Sequence, residues 1–248
     1  MKKKIKETIE KIENFLFDPH VCVCCDRECD LDNDYRICSR CKDRIPFAKD
    51  HYCLKCGETI PESYDYCITC KNAKYNFDYA RSIFAYTELT APIILRFKYN
   101  GQRMYAKPLA HLMKDFYDDS DIVSQVVTYV PMPESRQKQR GYNQAYELCR
   151  EFCELSKLPM LDLLKRKEET QKQSVLNAEE RRKNIIGSFV AINKSLIKNK
   201  DILLIDDVFT TGSTTSECAK VLKEKGARSV VVFTLAKTYR EENLNDKD

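Results

Sequence analysis

The sequence lacks most of the features that would classify it at a glance. Glycine and proline number only 6 and 8 in 248 residues, so no Gly/Ser-rich or Pro-rich linker divides the chain. No apolar run approaches the roughly 20 residues needed to cross a bilayer. An excess of one charge is missing too, because a net charge of +4 is too mild to announce a nucleic-acid partner by itself. The amino-terminal stretch has neither the continuous apolar core nor the small-residue cleavage site of a signal peptide. With 43% apolar and 32% charged residues the chain reads as soluble and globular, and the cytoplasm is its expected location.

Cysteine is what the sequence has in quantity. Of the 13 cysteines, ten lie between Cys22 and Cys70, and the others are Cys149, Cys153 and Cys218. Without a secretory signal, clustered cysteines read as metal ligands rather than a disulfide framework. Four Cys-x-x-Cys pairs occur: Cys22/Cys25, Cys38/Cys41, Cys53/Cys56 and Cys67/Cys70. Twelve residues separate the first two pairs and ten separate the last two. A two-residue gap lets both sulfurs of a tight turn face one ion at about 2.3 Å, and two such pairs complete a tetrahedral thiolate site for structural zinc. Two zinc ribbons in series are expected, with sequential pairing the simplest and crossed pairing the alternative. Cys24 and Cys29 are spare thiols that could replace Cys22 or Cys25. His20 and His51 read as bystanders beside a full set of thiolates. The segment has too few aliphatic residues for a core of its own, so metal supplies its folding free energy.

The expected organisation is an amphipathic helix over 1–18 (Ile5, Ile9, Ile12 and Leu16 at helical spacing), a double zinc-ribbon module over 19–74, an α/β domain over 75–240 and a polar tail over 241–248. In the α/β part, strands are expected at 80–86, 126–130, 189–192, 202–205 and 229–235. Helices are expected at 91–99, 103–117, 143–156 and 214–225. Strands alternating with helices imply a mostly parallel sheet covered on both faces. Phe84, Tyr86, Phe97 and Tyr99 read as core, and Cys149, Cys153 and Cys218 as packed thiols.

One stretch carries chemistry. Ile202 to Ile205 form a buried strand that ends in two adjacent acids, Asp206 and Asp207. Val208 and Phe209 come next, then Thr210, Thr211, Gly212, Ser213 and Thr214, which run into a helix. Ligands of open α/β sheets bind beyond the carboxyl ends of the strands. The Thr/Gly/Ser loop can offer hydroxyls and backbone N–H groups to a phosphate, and the helix adds its positive end. Two carboxylates beside such a cradle call for ribose hydroxyls and a divalent ion. The loop is not a P-loop, since no lysine follows its glycine.

This stretch resembles the phosphoribosyl diphosphate (PRPP) motif of type I phosphoribosyltransferases. The wider chain resembles the ComF family of competence proteins through the four cysteine pairs, through Val130-Pro131-Met132-Pro133 followed by Arg140-Gly141-Tyr142-Asn143-Gln144-Ala145, and through Thr170, Gln173, Leu176, Arg181, Asn184, Gly187 and Phe189 in order. The resemblance implies a type I phosphoribosyltransferase-like α/β fold after a four-cysteine zinc-ribbon module, with two structural zinc ions and Mg²⁺ bound together with PRPP. It also implies an accessory role in natural transformation, with a competence helicase and single-stranded DNA as partners. The implied site joins Asp206 and Asp207 as catalytic acids to Val208, Thr210–Thr214, Arg136 and Arg140 as PRPP-binding groups, with Lys138 a further candidate. Gln173 and Arg181 would belong to a segment, 165–184, that closes over the ligand. Whether such a protein transfers phosphoribose to an acceptor, or binds PRPP or single-stranded DNA without turnover, stays open at the level of sequence. An inert α/β scaffold behind a zinc adaptor is the third reading.

Overall fold

The computed structural model describes residues 21–28, 34–48, 51–99, 103–167 and 185–238. The expected helix over 1–18, Cys29, Gln173, Arg181, Asn184 and the tail over 241–248 lie outside these residues.

Two short helices belong to the cysteine-rich segment, α1 (Ser39–Lys42) and α2 (Ile68–Asn72). The chain continues through β1 (Tyr79–Ala85), α3 (Ala91–Lys98), a 3₁₀ turn (Arg103–Tyr105), α4 (Ala106–Asp118) and β2 (Val126–Tyr129). Then come α5 (Glu134–Arg140), α6 (Gln144–Ser156), β3 (Leu164–Arg166), β4 (Phe189–Ala191), β5 (Asp201–Phe209), α7 (Ser213–Glu224) and β6 (Ser229–Lys237). β1, β6, β5 and β2, in that order, form one sheet in which every pair is parallel, and β3 and β4 form a separate antiparallel hairpin.

The sheet is apolar on both faces because side chains alternate along each strand. Leu203, Ile205, Val231, Phe233 and Leu235 pack on one face with Ile93, Ile94 and Phe97 of α3, Leu109 and Met113 of α4, and Leu148 and Phe152 of α6. Ile202, Leu204, Val230 and Val232 pack on the other with Cys218, Ala219 and Leu222 of α7 and with Phe189. The chain therefore leaves β2 toward the first face and leaves β5 toward the second. These two strands are neighbours in register, with Val126 opposite Ile202 and Tyr129 opposite Ile205. A crevice opens at the carboxyl ends of such a pair, which is where ligands of open parallel sheets bind.

β5 and β6 are longer than the sequence suggests, running through the two acids to Phe209 and through to Lys237. The stretch after Val130, where no helix is expected, holds α5, a helix with no buried residue. Cys149, Cys153, Cys218, Phe84 and Phe97 are core residues as expected, whereas Tyr99 is 47% exposed. Tyr99 sits one residue past the end of α3, where the helix no longer holds it against the core.

Candidate functional site

Asp206 and Asp207 occupy the carboxyl end of β5, and the alternation of the strand sends them to opposite faces. Asp206 lies on the α7 side with Ile202 and Leu204. Burial, and then the charge of Asp206, pushes the Cys218 thiol of that helix upward. Asp207 lies on the α3 side, where Lys98 Nζ meets its Oδ2 at 3.0 Å. Burial and then the Asp207 carboxylate push Asp206 up to about 8, against a 2.9 Å hydrogen bond from the Asp207 N–H that favours its charged form. The site thus holds one carboxylate with a lysine partner and a second whose charge is poorly compensated, an arrangement typical of functional sites.

The loop beyond β5 is set by Gly212. It adopts φ +72°, and a Cβ there would stand 2.5 Å from the Phe209 ring and 2.9 Å from the Tyr75 ring. Only glycine satisfies both conditions. Gly212 caps α7, and the loop hydroxyls organise around the cap. Thr211 Oγ1 and Ser213 Oγ lie 2.9 Å apart, and Thr215 Oγ1 donates to the Gly212 carbonyl at 3.1 Å. Thr210 is exposed, and Thr211, Ser213 and Thr214 are half-buried. The first-turn N–H groups of α7 have no carbonyl of an earlier turn to bond, and together with the helix dipole they favour an anion. Val208 N–H is tied to Asp207 Oδ1 at 2.7 Å, which fixes the strand end from which the loop departs.

Val130 N–H bonds the Ile205 carbonyl at 2.9 Å, so the segment leading into α5 starts beside the acids. Arg140, the last residue of α5, lies over the Tyr99 ring at 5.2 Å and reaches Gln144 Oε1 at 3.3 Å. Gln144 in turn donates to the Lys98 carbonyl, and Tyr142 donates to the Phe97 carbonyl. The segment Arg140–Gln144 is thus joined to the end of α3 that carries Lys98. Arg136 and Lys138 are exposed on α5.

Lys98 and Tyr75 escaped the sequence reading. The one signal for Lys98 was a base closing a helix whose neighbours Ile93, Ile94 and Phe97 are buried. Tyr75 donates its hydroxyl to the Thr211 carbonyl at 3.1 Å, a contact between distant residues that no local spacing encodes.

The cysteines form two clusters, Cys22, Cys25, Cys38 and Cys41 in one and Cys53, Cys56, Cys67 and Cys70 in the other, with the sulfurs of each within 4.8 Å of one another. The pairing is sequential, and four convergent thiols with no open position suit structural zinc. Within the second cluster, hydrogen bonding by Cys56 first and then by Cys67 and Cys70 pulls the Cys53 thiol far down, while hydrogen bonding to Cys53 first pushes Cys70 far up. Four thiols this close cannot all ionise without a cation among them. Cys24 is outside the first cluster, and burial pushes its thiol up to about 12. His51 is outside the second and bonds the Tyr64 carbonyl at 2.9 Å.

Comparison with known proteins agrees with this architecture. The phosphoribosyl transferase domain family matches residues 138–248, and the double zinc ribbon domain family matches residues 12–71. Competence protein F of Haemophilus influenzae is 31% identical over 208 residues, covering 81% of this chain and 90% of that protein. Competence protein ComFC of Bacillus subtilis is 26% identical, covering 88% and 95%. The DNA utilization protein YhgH of Escherichia coli is 25% identical, covering 82% and 90%. Among solved structures, an allosteric regulatory enzyme of purine biosynthesis aligns with a TM-score of 0.41 at 17% identity, over 57% of this chain and 30% of that one. Given the two cysteine clusters, the parallel sheet and the extent of the matches to the competence proteins, the chain belongs to the ComF family, which joins a double zinc ribbon to a phosphoribosyltransferase domain.

Proposed function

We propose that the crevice at the carboxyl ends of β5 and β2 binds PRPP with Mg²⁺, and that the protein is an accessory factor in competence and DNA uptake, working with a helicase and single-stranded DNA. The observation that carries the ligand assignment is the continuity of β5, loop and α7. Two acids end the strand, and a glycine-set loop of hydroxyls leads directly into a helix amino terminus.

In this reading the N–H groups and hydroxyls of Thr210–Thr214 hold the 5-phosphate, and Asp206 and Asp207 accept hydrogen bonds from the ribose hydroxyls. Asp206 is the group that fits a divalent ion, because Lys98 pairs directly with Asp207 and its charge does not outweigh the burial that raises Asp206, and hard cations take carboxylate together with ligand oxygens. When bound, Mg²⁺ supplies charge neutralisation of the diphosphate. In this reading Arg140, which lies over Tyr99 and bonds Gln144, binds the diphosphate, with Arg136 on the same helix a further candidate. Gln173 and Arg181 are candidates to complete the site from the segment beyond β3.

The chemistry this arrangement suits is phosphoribosyl transfer. The C1–O bond to diphosphate breaks, the electron pair leaves with diphosphate, and an acceptor forms the new bond to C1. Catalysis of that step needs positioning and leaving-group neutralisation more than covalent participation of the protein. A second reading, binding without turnover, draws on Lys98: an ion pair that already holds one of the two acids suits a sensor that exchanges partners on ligand binding.

Calorimetric titration of PRPP with Mg²⁺ into zinc-loaded protein tests the site. Saturable binding is expected, and it should weaken on the order of 100-fold in a folded Asp206→Asn, Asp207→Asn double variant, given the worth of charge-assisted hydrogen bonds. Unchanged affinity in that variant would remove the acids from the site. Diphosphate release in the presence of candidate acceptors separates transfer from sensing.

A further inference from the structure

The second ribbon does not merely sit near the loop. It is built into it. Its first knuckle is joined to the start of β1, since Ala80 N–H bonds the Lys55 carbonyl at 2.8 Å and Lys55 Nζ donates to the Phe77 and Asp78 carbonyls at 2.5 and 2.9 Å. Gly57 lies so close to β1 that a Cβ would come 2.9 Å from the Ala80 carbonyl oxygen. Its second knuckle ends at Cys70 in α2, and the chain leaving that ligand passes straight to the sugar-phosphate loop. Tyr75 stacks on Phe77 at 4.8 Å, bonds the Thr211 carbonyl and abuts Gly212. The next residue, Asn76, donates from both its backbone N–H and its side chain to Ser216 Oγ at 3.0 Å, in the first turn of α7.

A second link runs from the first knuckle to β6. Glu58, two residues past Cys56, pairs with Lys237 at 3.6 Å, and both side chains are almost completely buried. Lys237 also lies over the Phe209 ring at 4.8 Å, and Thr238 N–H bonds the Phe209 carbonyl. Ribbon and loop face each other across a cavity of about 90 Å³ lined by Glu58, Thr69, Cys70, Tyr75, Thr210 and Lys237 among others.

We infer that the second zinc site is a positioning element of the sugar-phosphate loop: the metal fixes Cys67 and Cys70, and the chain they anchor delivers Tyr75 and Asn76 onto Thr211 and Ser216. The first ribbon has a different attachment. It reaches the α/β domain through Arg96 of α3, which donates to the Val23 and Cys24 carbonyls at 2.9 and 3.2 Å. Zinc in the second ribbon therefore controls the loop directly, and zinc in the first does not. The positioning role rests on the PRPP reading only for the identity of the ligand, because the brace itself is a property of the ligand-free chain.

The test compares amide hydrogen exchange over 210–216 in the full-length zinc-loaded protein with Cys67→Ser, Cys70→Ser and with Cys38→Ser, Cys41→Ser, zinc content being measured for each. The second-ribbon variant is expected to exchange at least about 10-fold faster across the loop, and the first-ribbon variant to stay within about twofold of wild type. Tyr75→Phe removes one hydroxyl and leaves every zinc ligand in place. It should retain both zinc ions and speed loop exchange about fivefold, the equivalent of one hydrogen bond. Loop protection that is unchanged in the second-ribbon variant and in Tyr75→Phe, or that is lost equally in both zinc variants, overturns the inference. PRPP titration of the same proteins should give the same ranking as the exchange rates. Wild-type protein that fails to bind PRPP would overturn the ligand assignment, and the exchange comparison would still decide the brace.

Discussion

The two ribbons have the same four ligands in nearly the same spacing, yet they lie on opposite faces of one sheet, and the segment that follows the second one meets the loop beyond β5. The first joins the face covered by α3, α4 and α6, with Cys22, Val23, Ile37 and Cys41 in the core of that side. The second joins the α7 face through Cys53, Cys56, Ile60 and Cys67. Between them, Pro46–Ala48 pairs antiparallel along the free edge of β1, so the connection covers an edge that would otherwise be exposed. The first ribbon reaches the acids through α3, from Arg96 to Lys98 to Asp207. The second touches the loop itself. Identical metal chemistry can thus serve stability at one site and loop geometry at the other, and the difference lies in where the chain goes beyond the last ligand.

Removing all metal should give the largest effect. Structural zinc contributes roughly 10–16 kcal/mol to small cysteine modules, and that binding energy is folding energy. Strong chelation is expected to release about two zinc ions per chain and to unfold residues 21–72, as read by elemental analysis and near-ultraviolet circular dichroism. A metal-free chain that keeps both clusters folded would break the comparison at its root.

The next effect separates the two attachments. Lys237→Met leaves Glu58 buried without its cation and should cost about 3–5 kcal/mol, the usual result of removing one partner of a buried pair. Arg96→Met loses hydrogen bonds to two carbonyls and an exposed pairing with Asp26, and should cost about 1.5–3 kcal/mol. Denaturant midpoints measure both. Equal costs, or loop exchange that responds to Arg96→Met, would erase the distinction between direct and indirect attachment. Gly212→Ala should fall in a similar range, about 1–3 kcal/mol, because the added Cβ meets two rings in a backbone region that L-residues avoid.

Legibility in the sequence divides along the same line, between local and distant contacts. Cysteine spacing is local, so both zinc sites were legible, with sequential pairing as the simplest arrangement. So was the order of the strands of the parallel sheet and the helices that cover it, because the runs at 202–205 and 230–233 are apolar on both faces and helical periodicity marks α3, α4, α6 and α7, whereas β3, whose three residues fall partly in the expected closing segment 165–184, was not. The arrangement of the acids and the loop was legible because strand, loop and helix are contiguous. The contacts that make the site one unit were not. Lys98 with Asp207, Tyr75 with Thr211 and Glu58 with Lys237 join segments far apart in the chain, and each pairing depends on how the ribbons and α3 pack on the sheet. α5 was hidden because none of its residues is buried, so no apolar periodicity marks it. The opposite orientations of Asp206 and Asp207 were implied by the strand period, but became visible only when β5 proved to run through both residues.

The smallest effect concerns those two acids and divides the crevice face by face. Asp206 holds its proton up to about 8 in the folded chain, against an ordinary value of 3.8 in water. Between those values the folded state binds more protons than the unfolded state, so stability falls as pH rises through this window and levels off above it. Asn cannot ionise, so Asp206→Asn should flatten the fall in melting temperature between about pH 5 and pH 8.5 and raise the melting temperature at the upper end. Asp207→Asn removes the charge that is the second cause of the rise, so Asp206 should ionise at lower pH and the fall should level off earlier without disappearing. That variant also leaves Lys98 without its carboxylate on the first-ribbon side, which should lower the melting temperature across the whole range. Thermal melts of the two single variants across this range give the answer. A flattened profile in the first variant and a shortened, lowered one in the second would mark Asp206 as the uncompensated acid of the α7 face and Asp207 as the paired acid of the α3 face. Identical profiles would mean that the two carboxylates share one environment and that the division of the site by faces is wrong.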